Sequence, residues 1–120
     1  MIIVTGAAGF IGSAIVWQLN QLGRKDILIS DKLKTEEKWN NISKMNYYDW
    51  IDRDELFGFL ETTEIKIEAI VHMGACSATT EKDTDFLMKN NYEYTKKLWN
   101  YCTDKQIKFI YASSAATYGD

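Results

Sequence analysis

The sequence predicts an α/β chain built on a doubly wound parallel sheet with helices on both faces. Three observations predict it. Short apolar runs alternate with stretches of helical period, glycines stand three apart directly after the first run, and an aspartate closes the second run about twenty residues later.

Residues 2–4 form the first strand, and Thr5 leads it into a turn. Gly6, Gly9 and Gly12 follow, each with its own task. Gly6 lets the chain turn, Gly9 lets the backbone approach a pyrophosphate, and Gly12 lets the next helix pack closely on the strand. The free N–H groups of that helix then face the phosphates. With a strand before it and a helix after it, the triplet reads as a dinucleotide-binding turn of the Rossmann type. Ile11, Ile15, Leu19 and Leu22 share one helical face, and Gly23 ends the helix. A second buried strand covers 27–30 and closes at Asp31. Residues 32–46 are polar, lack a clean period and read as a loop with room for a short helix. Leu56, Phe57 and Leu60 mark a helix over 54–61, and residues 69–72 form the next apolar strand. A long helix over 84–103 turns Leu87, Tyr94, Leu98 and Tyr101 toward the sheet, and 109–112 is the last strand. Helices of this length between strands imply right-handed βαβ crossovers.

With 46% hydrophobic and 26% charged residues the chain has a globular balance, and 120 residues suffice for about one small domain. A net charge of −3 predicts no general attraction to nucleic acid or to an anionic membrane. No apolar run is long enough to span a bilayer, and Met1 leads straight into a strand rather than into a signal segment. A cytoplasmic protein is expected, with Cys76 and Cys102 as reduced, buried thiols. The chain stops at Asp120, just after a strand, where a doubly wound sheet normally continues. Residues 1–120 are therefore expected to be the N-terminal part of a nucleotide-binding domain, with the rest of the sheet and a substrate domain beyond them.

A doubly wound sheet places its ligand at the carboxyl ends of its strands. Asp31 is placed to accept hydrogen bonds from an adenosine ribose, the usual mark of NAD. Lys32, Lys34, Lys38 and Arg53 could instead surround the 2′-phosphate of NADP, or form a solvated loop. Each exposed cation is worth only about 1 kcal/mol at contact, so two or more are needed to offset one carboxylate. Gly74, Ala75, Cys76 and Ser77 are small and let backbone pass close to a cofactor. Cys76 with His72 could also be read as a nucleophile and its base, against a histidine satisfied within the core. One histidine and two distant cysteines lack any metal-ligand spacing, so no metal is expected. Ser113 and Ser114 end the last strand, where a hydroxyl could bond a substrate oxygen and shuttle its proton.

Taken together, Thr5-Gly-Ala-Ala-Gly-Phe-Ile-Gly12, Asp31 and Ser113-Ser-Ala-Ala-Thr-Tyr-Gly119 resemble the extended short-chain dehydrogenase/reductase family of nucleotide-sugar enzymes. The segments His72-Met-Gly-Ala-Cys-Ser-Ala-Thr-Thr-Glu-Lys-Asp83 and Asn90-Asn-Tyr-Glu-Tyr94 resemble its ADP-heptose 6-epimerase branch. That resemblance implies epimerisation of an ADP-heptose by transient oxidation at C6, NADP as the preferred tightly bound cofactor with NAD possible, and a homo-oligomer, a homopentamer in that branch. It also implies a role in making lipopolysaccharide precursors. By position it implies cofactor contacts at Phe10, Ile11, Asp31, Lys32, Lys38, Arg53, Met73, Gly74, Ala75, Cys76, Ser77 and Asn90, beside the glycines, and a catalytic serine at Ser114. Lys32 stands where the family commonly has Asn, and Met73 where some members have a carboxylate. The family's Tyr-x-x-x-Lys pair follows the serine strand, whereas Tyr92-Glu-Tyr-Thr-Lys96 precedes it and reads as an ordinary i, i+4 pair on a helix. The true pair is expected beyond residue 120. The alternatives are a 4-epimerase or 4,6-dehydratase of UDP- or dTDP-sugars, and a non-catalytic NADP-binding module.

Overall fold

The computed structural model describes residues 1–7, 10–31, 42–74 and 81–113, with side chains described over 1–7, 11–31, 42–73 and 92–111. Five strands, β1 (Ile2–Thr5), β2 (Ile27–Asp31), β3 (Asp49–Asp52), β4 (Ala69–Gly74) and β5 (Lys108–Ser113), pair in the order β3-β2-β1-β4-β5. Every pairing is parallel. Among the described residues the helices are α1 (Phe10–Gln21), α2 (Leu56–Thr62) and α3 (Glu81–Lys105), with a 3-10 turn, Arg53–Glu55, ahead of α2.

Strands covered on both faces must be apolar on both, and β1 is buried at all four positions. Its alternate residues feed two separate cores. Ile2 and Val4 join Ile27, Ile29 and Val71 under Val16 of α1. Ile3 joins Leu28 and Ile70 under Leu56 and Leu60 of α2 and Leu98 and Cys102 of α3. Tyr94 and Tyr101 pack against that second core as expected, while the side chain of Leu87 lies outside the described residues.

The inward face of α1 differs from the expected one. Gly12, Ser13 and Val16 are its buried residues, Ile15 and Leu19 flank them, and Ile11 and Leu22 are 39% and 68% exposed. A helix that lies this close to the strands must turn its smallest residues to the sheet, which rotates the larger apolar side chains to the flank. The helix ends as expected at Gly23, whose φ of +84° allows Arg24 N–H to reach the Leu19 carbonyl at 2.9 Å. Asn20 then ties this end to the segment before β3, donating to the Asn46 carbonyl at 2.8 Å and accepting from Asn46 N–H at 2.9 Å.

At the opposite end of the sheet from the strands' carboxyl ends, the Met1 ammonium lies 3.6 Å from Asp26 and 3.4 Å from Glu68. Arg24 binds Asp26 through both Nε and Nη2 and also reaches Glu68. These hydrogen bonds hold both carboxyls below their ordinary pKa range. Among the described residues no helix is long and apolar enough to cross a membrane.

Candidate functional site

In this strand order the chain leaves β1 toward β2 and β3 and later returns on the other side as β4 and β5. A crevice therefore opens at the carboxyl ends of β1 and β4, the place where open α/β sheets take their ligands. Gly6 and Ala7 at the end of β1, the start of α1, Asp31, Arg53, Met73 and Gly74 all lie at this end of the sheet.

Two of the glycines are required by geometry. Gly6 has φ +67°, and a Cβ there would stand 2.8 Å from the Met73 carbonyl oxygen. At Gly12 a Cβ would stand only 2.1 Å from the carbonyl oxygen of Gly6. The start of α1 is thus pressed directly onto the turn, which brings its unpaired N–H groups to the mouth of the crevice. No acidic residue occupies the first turn of α1, so nothing within it offsets the positive end of the helix dipole. Backbone N–H groups and a positive helix end beside the glycine turn make a seat for a diphosphate.

Asp31 ends β2 and stands in register with Asp52, the last residue of β3. Arg53 comes next in the chain, so the structure brings the expected ribose acceptor and one expected cation to adjacent strand ends. Arg53 is held on two sides by Tyr94. Its guanidinium lies 4.5 Å from the centre of the Tyr94 ring, and its carbonyl accepts from the Tyr94 hydroxyl at 2.9 Å. Burial of that phenol pushes its pKa up to about 12.

Met73 packs its side chain in the core beside Val16 and Ala7, and its carbonyl faces the glycine turn. Ile11 is on the outer part of the helix start. Phe10 opens α1 and Asn90 falls within α3, with their side chains outside the described set. Gly9, Lys32, Lys34, Lys38, Ala75, Cys76, Ser77 and Ser114 lie outside the described residues.

His72 is a satisfied core histidine. It is 5% exposed, its Nδ1 shares a hydrogen bond with Thr5 Oγ1, and its Nε2 shares one of 2.9 Å with Thr95 Oγ1. Both ring nitrogens are engaged inside the protein, so neither is directed at a thiol. Burial, with a smaller contribution from the Arg53 cation, lowers its pKa to about 4, and the ring is uncharged at neutral pH. Cys102 is a free, buried thiol pushed up to about 11 by burial. Tyr92 and Lys96 are both exposed on α3, as an incidental helical pair would be.

Residues 2–120 match the model of the NAD dependent epimerase/dehydratase family. The chain belongs to that family. It is 67% identical to an ADP-L-glycero-D-manno-heptose-6-epimerase of Fusobacterium nucleatum subsp. nucleatum, over 99% of this chain and 36% of that relative. The crystal structure of the Helicobacter pylori ADP-L-glycero-D-manno-heptose-6-epimerase superposes with a TM-score of 0.79 at 27% identity, covering 98% of this chain and 40% of that one. A UDP-glucuronic acid 4-epimerase from Bacillus cereus, in complex with NAD, gives a TM-score of 0.73 at 26% identity over 99% of this chain and 41% of its own. The family member described here thus spans little more than a third of the length of these relatives.

Proposed function

We propose that the full-length protein epimerises ADP-D-glycero-D-manno-heptose to its L-glycero form, and that residues 1–120 form the part of it that holds a nicotinamide dinucleotide, by preference NADP. The observation that carries this reading is the 67% identity, over nearly the whole chain, to a relative named for that reaction. Fold alone does not choose the sugar, because 4-epimerases of UDP-sugars superpose almost as well.

The crevice fits the cofactor. Gly6 and Gly12 let the start of α1 press onto the end of β1, and the first turn of α1 offers a diphosphate N–H groups without a competing carboxylate. Asp31 accepts from the ribose, and Arg53 with Lys32 and Lys38 attracts a 2′-phosphate. When bound, the nicotinamide supplies hydride removal from C6 of the sugar and hydride return to the opposite face of the resulting ketone. Ser114 holds the sugar's C6 oxygen by a hydrogen bond and guides its proton. The tyrosine and lysine that complete the acid/base set belong to the sequence beyond residue 120.

Purified full-length protein given the D-glycero substrate, with the product followed by NMR, tests the reading. Accumulation of the L-glycero epimer is expected. Turnover of UDP- or dTDP-sugars with the ADP-heptose left untouched would refute it.

A further inference from the structure

Thr5, Ser30 and His72 stand side by side on β1, β2 and β4, paired in register. Each stands at or near the carboxyl end of its strand on the face covered by α3, and each is at most 5% exposed. The residues before them on that face, Ile3, Leu28 and Ile70, are apolar. A polar row is thus set into the core one residue below Gly6, Asp31 and Met73, which border the crevice.

Burying polar side chains costs stability unless they are paired, and a strand end could have been closed by valine. Of the three, Thr5 and His72 are paired with each other, and that pairing has a direction. His72 bridges Thr5, the residue directly before the glycine turn, to Thr95 of α3. Its ring stacks within 26° of parallel to two aromatic neighbours, Tyr111 at 5.4 Å and Tyr94 at 5.7 Å between ring centres. Tyr94 in turn holds Arg53. One imidazole therefore joins the glycine turn to α3, the helix that carries both Asn90 and the aromatic ring under Arg53, two parts of the proposed cofactor site that are distant in sequence.

We propose that His72 is a positioning residue for the cofactor: bridging Thr5 and Thr95, it fixes the glycine turn relative to α3 and thereby sets the affinity of the crevice. The inference rests on the cofactor reading above. Coupling of this kind is reciprocal, so cofactor binding must also alter the state of the ring.

The test uses the full-length protein, stripped of cofactor and titrated with NADP and NAD by calorimetry under conditions where circular dichroism shows each variant folded. Thr5→Val keeps a β-branched strand residue and removes only the hydroxyl, and Thr95→Val does the same from the helix side. Each should weaken the tighter cofactor at least about fivefold. Thr5→Ser, which keeps the hydroxyl, should bind within about twofold of wild type although it loses a methyl group. Tyr101→Phe removes a hydroxyl that bonds the Leu60 carbonyl on the same packed face, away from the row, and should lower stability with affinity unchanged. The ring nitrogen resonances of His72, assigned by comparison with His72→Asn, should shift when cofactor binds. If both valine variants bind as wild type does and the His72 resonances ignore the cofactor, His72 is a core residue and nothing more. If wild type binds neither dinucleotide, the cofactor reading fails and this inference falls with it.

Discussion

Replacing Gly12 with alanine should damage both the fold and the cofactor site, and the structure sets the scale. The added methyl would lie 2.1 Å from the Gly6 carbonyl oxygen, 2.8 Å from its carbonyl carbon and 2.9 Å from the Ala7 Cα. All three are backbone atoms, which cannot rotate aside. Carbon and oxygen relax at about 3.3 Å, so the start of α1 must retreat by roughly 1 Å. Overpacking of this kind costs about 1–3 kcal/mol. The retreat also withdraws the helix N–H groups from a bound diphosphate, and losing one hydrogen bond to a charged group costs about 1.5–3 kcal/mol, or at least about tenfold in affinity. Two other glycines separate strain from site. Gly23→Ala meets no atom within 4 Å but forces a left-handed residue, so it should cost about 1–2 kcal/mol with cofactor affinity intact. Gly58→Ala, in open space on α2, should stabilise by about 0.5–1 kcal/mol. Denaturant unfolding and cofactor titration of the full-length variants decide it. The reasoning is refuted if Gly12→Ala binds cofactor like wild type, or if Gly23→Ala weakens cofactor binding as much as Gly12→Ala does.

Removing Lys38 and Arg53 together should weaken NADP far more than NAD, and equal losses in calorimetry would show that these cations hold no 2′-phosphate. His72 titrates near 4 when folded and near 6.5 when unfolded, so the unfolded chain takes up the extra proton between those values. Stability should therefore fall as pH drops through that window, by up to about 1.4 kcal/mol per pH unit, and level off below it. His72→Asn should lack this component, and identical pH slopes for variant and wild type in denaturant unfolding would contradict the account of the ring. Ser114→Ala should slow epimerisation at least ~10²-fold, the low end for losing a positioned proton-transfer partner, with cofactor still bound. Full activity of that variant in the NMR assay would remove Ser114 from the mechanism.

The sequence was most legible where one physical demand dominates. The strands β1, β2 and β4 are buried on both faces and read as unbroken apolar runs, and the structure sets Gly6, Gly12 and Asp31 at the carboxyl ends of β1 and β2. β3 was missed because an edge strand needs no such run: Asp-Trp-Ile-Asp has only two apolar residues, flanked by aspartates, and is only partly buried. The contact face of α1 was misplaced for a different reason. Hydrophobic periodicity favours large side chains, whereas a helix pressed onto a glycine turn meets the sheet through Gly12, Ser13 and Val16. The polar row was hidden because Thr5, Ser30 and His72 each look like an ordinary strand end. Their shared register appears only when three strands lie side by side. Tyr94 was expected to pack on the sheet, but its grip on Arg53, forty-one residues away in sequence, left no local trace.

The proposed reaction inverts C6 by hydride leaving and returning to it within the protein, and incubation of the full-length protein with ADP-D-glycero-D-manno-heptose in D₂O tests this most directly. A hydride that never exchanges with solvent leaves the L-glycero product with protium at C6. Deuterium at C6 of the product would instead show that the carbon is deprotonated and reprotonated from solvent, and would contradict the account.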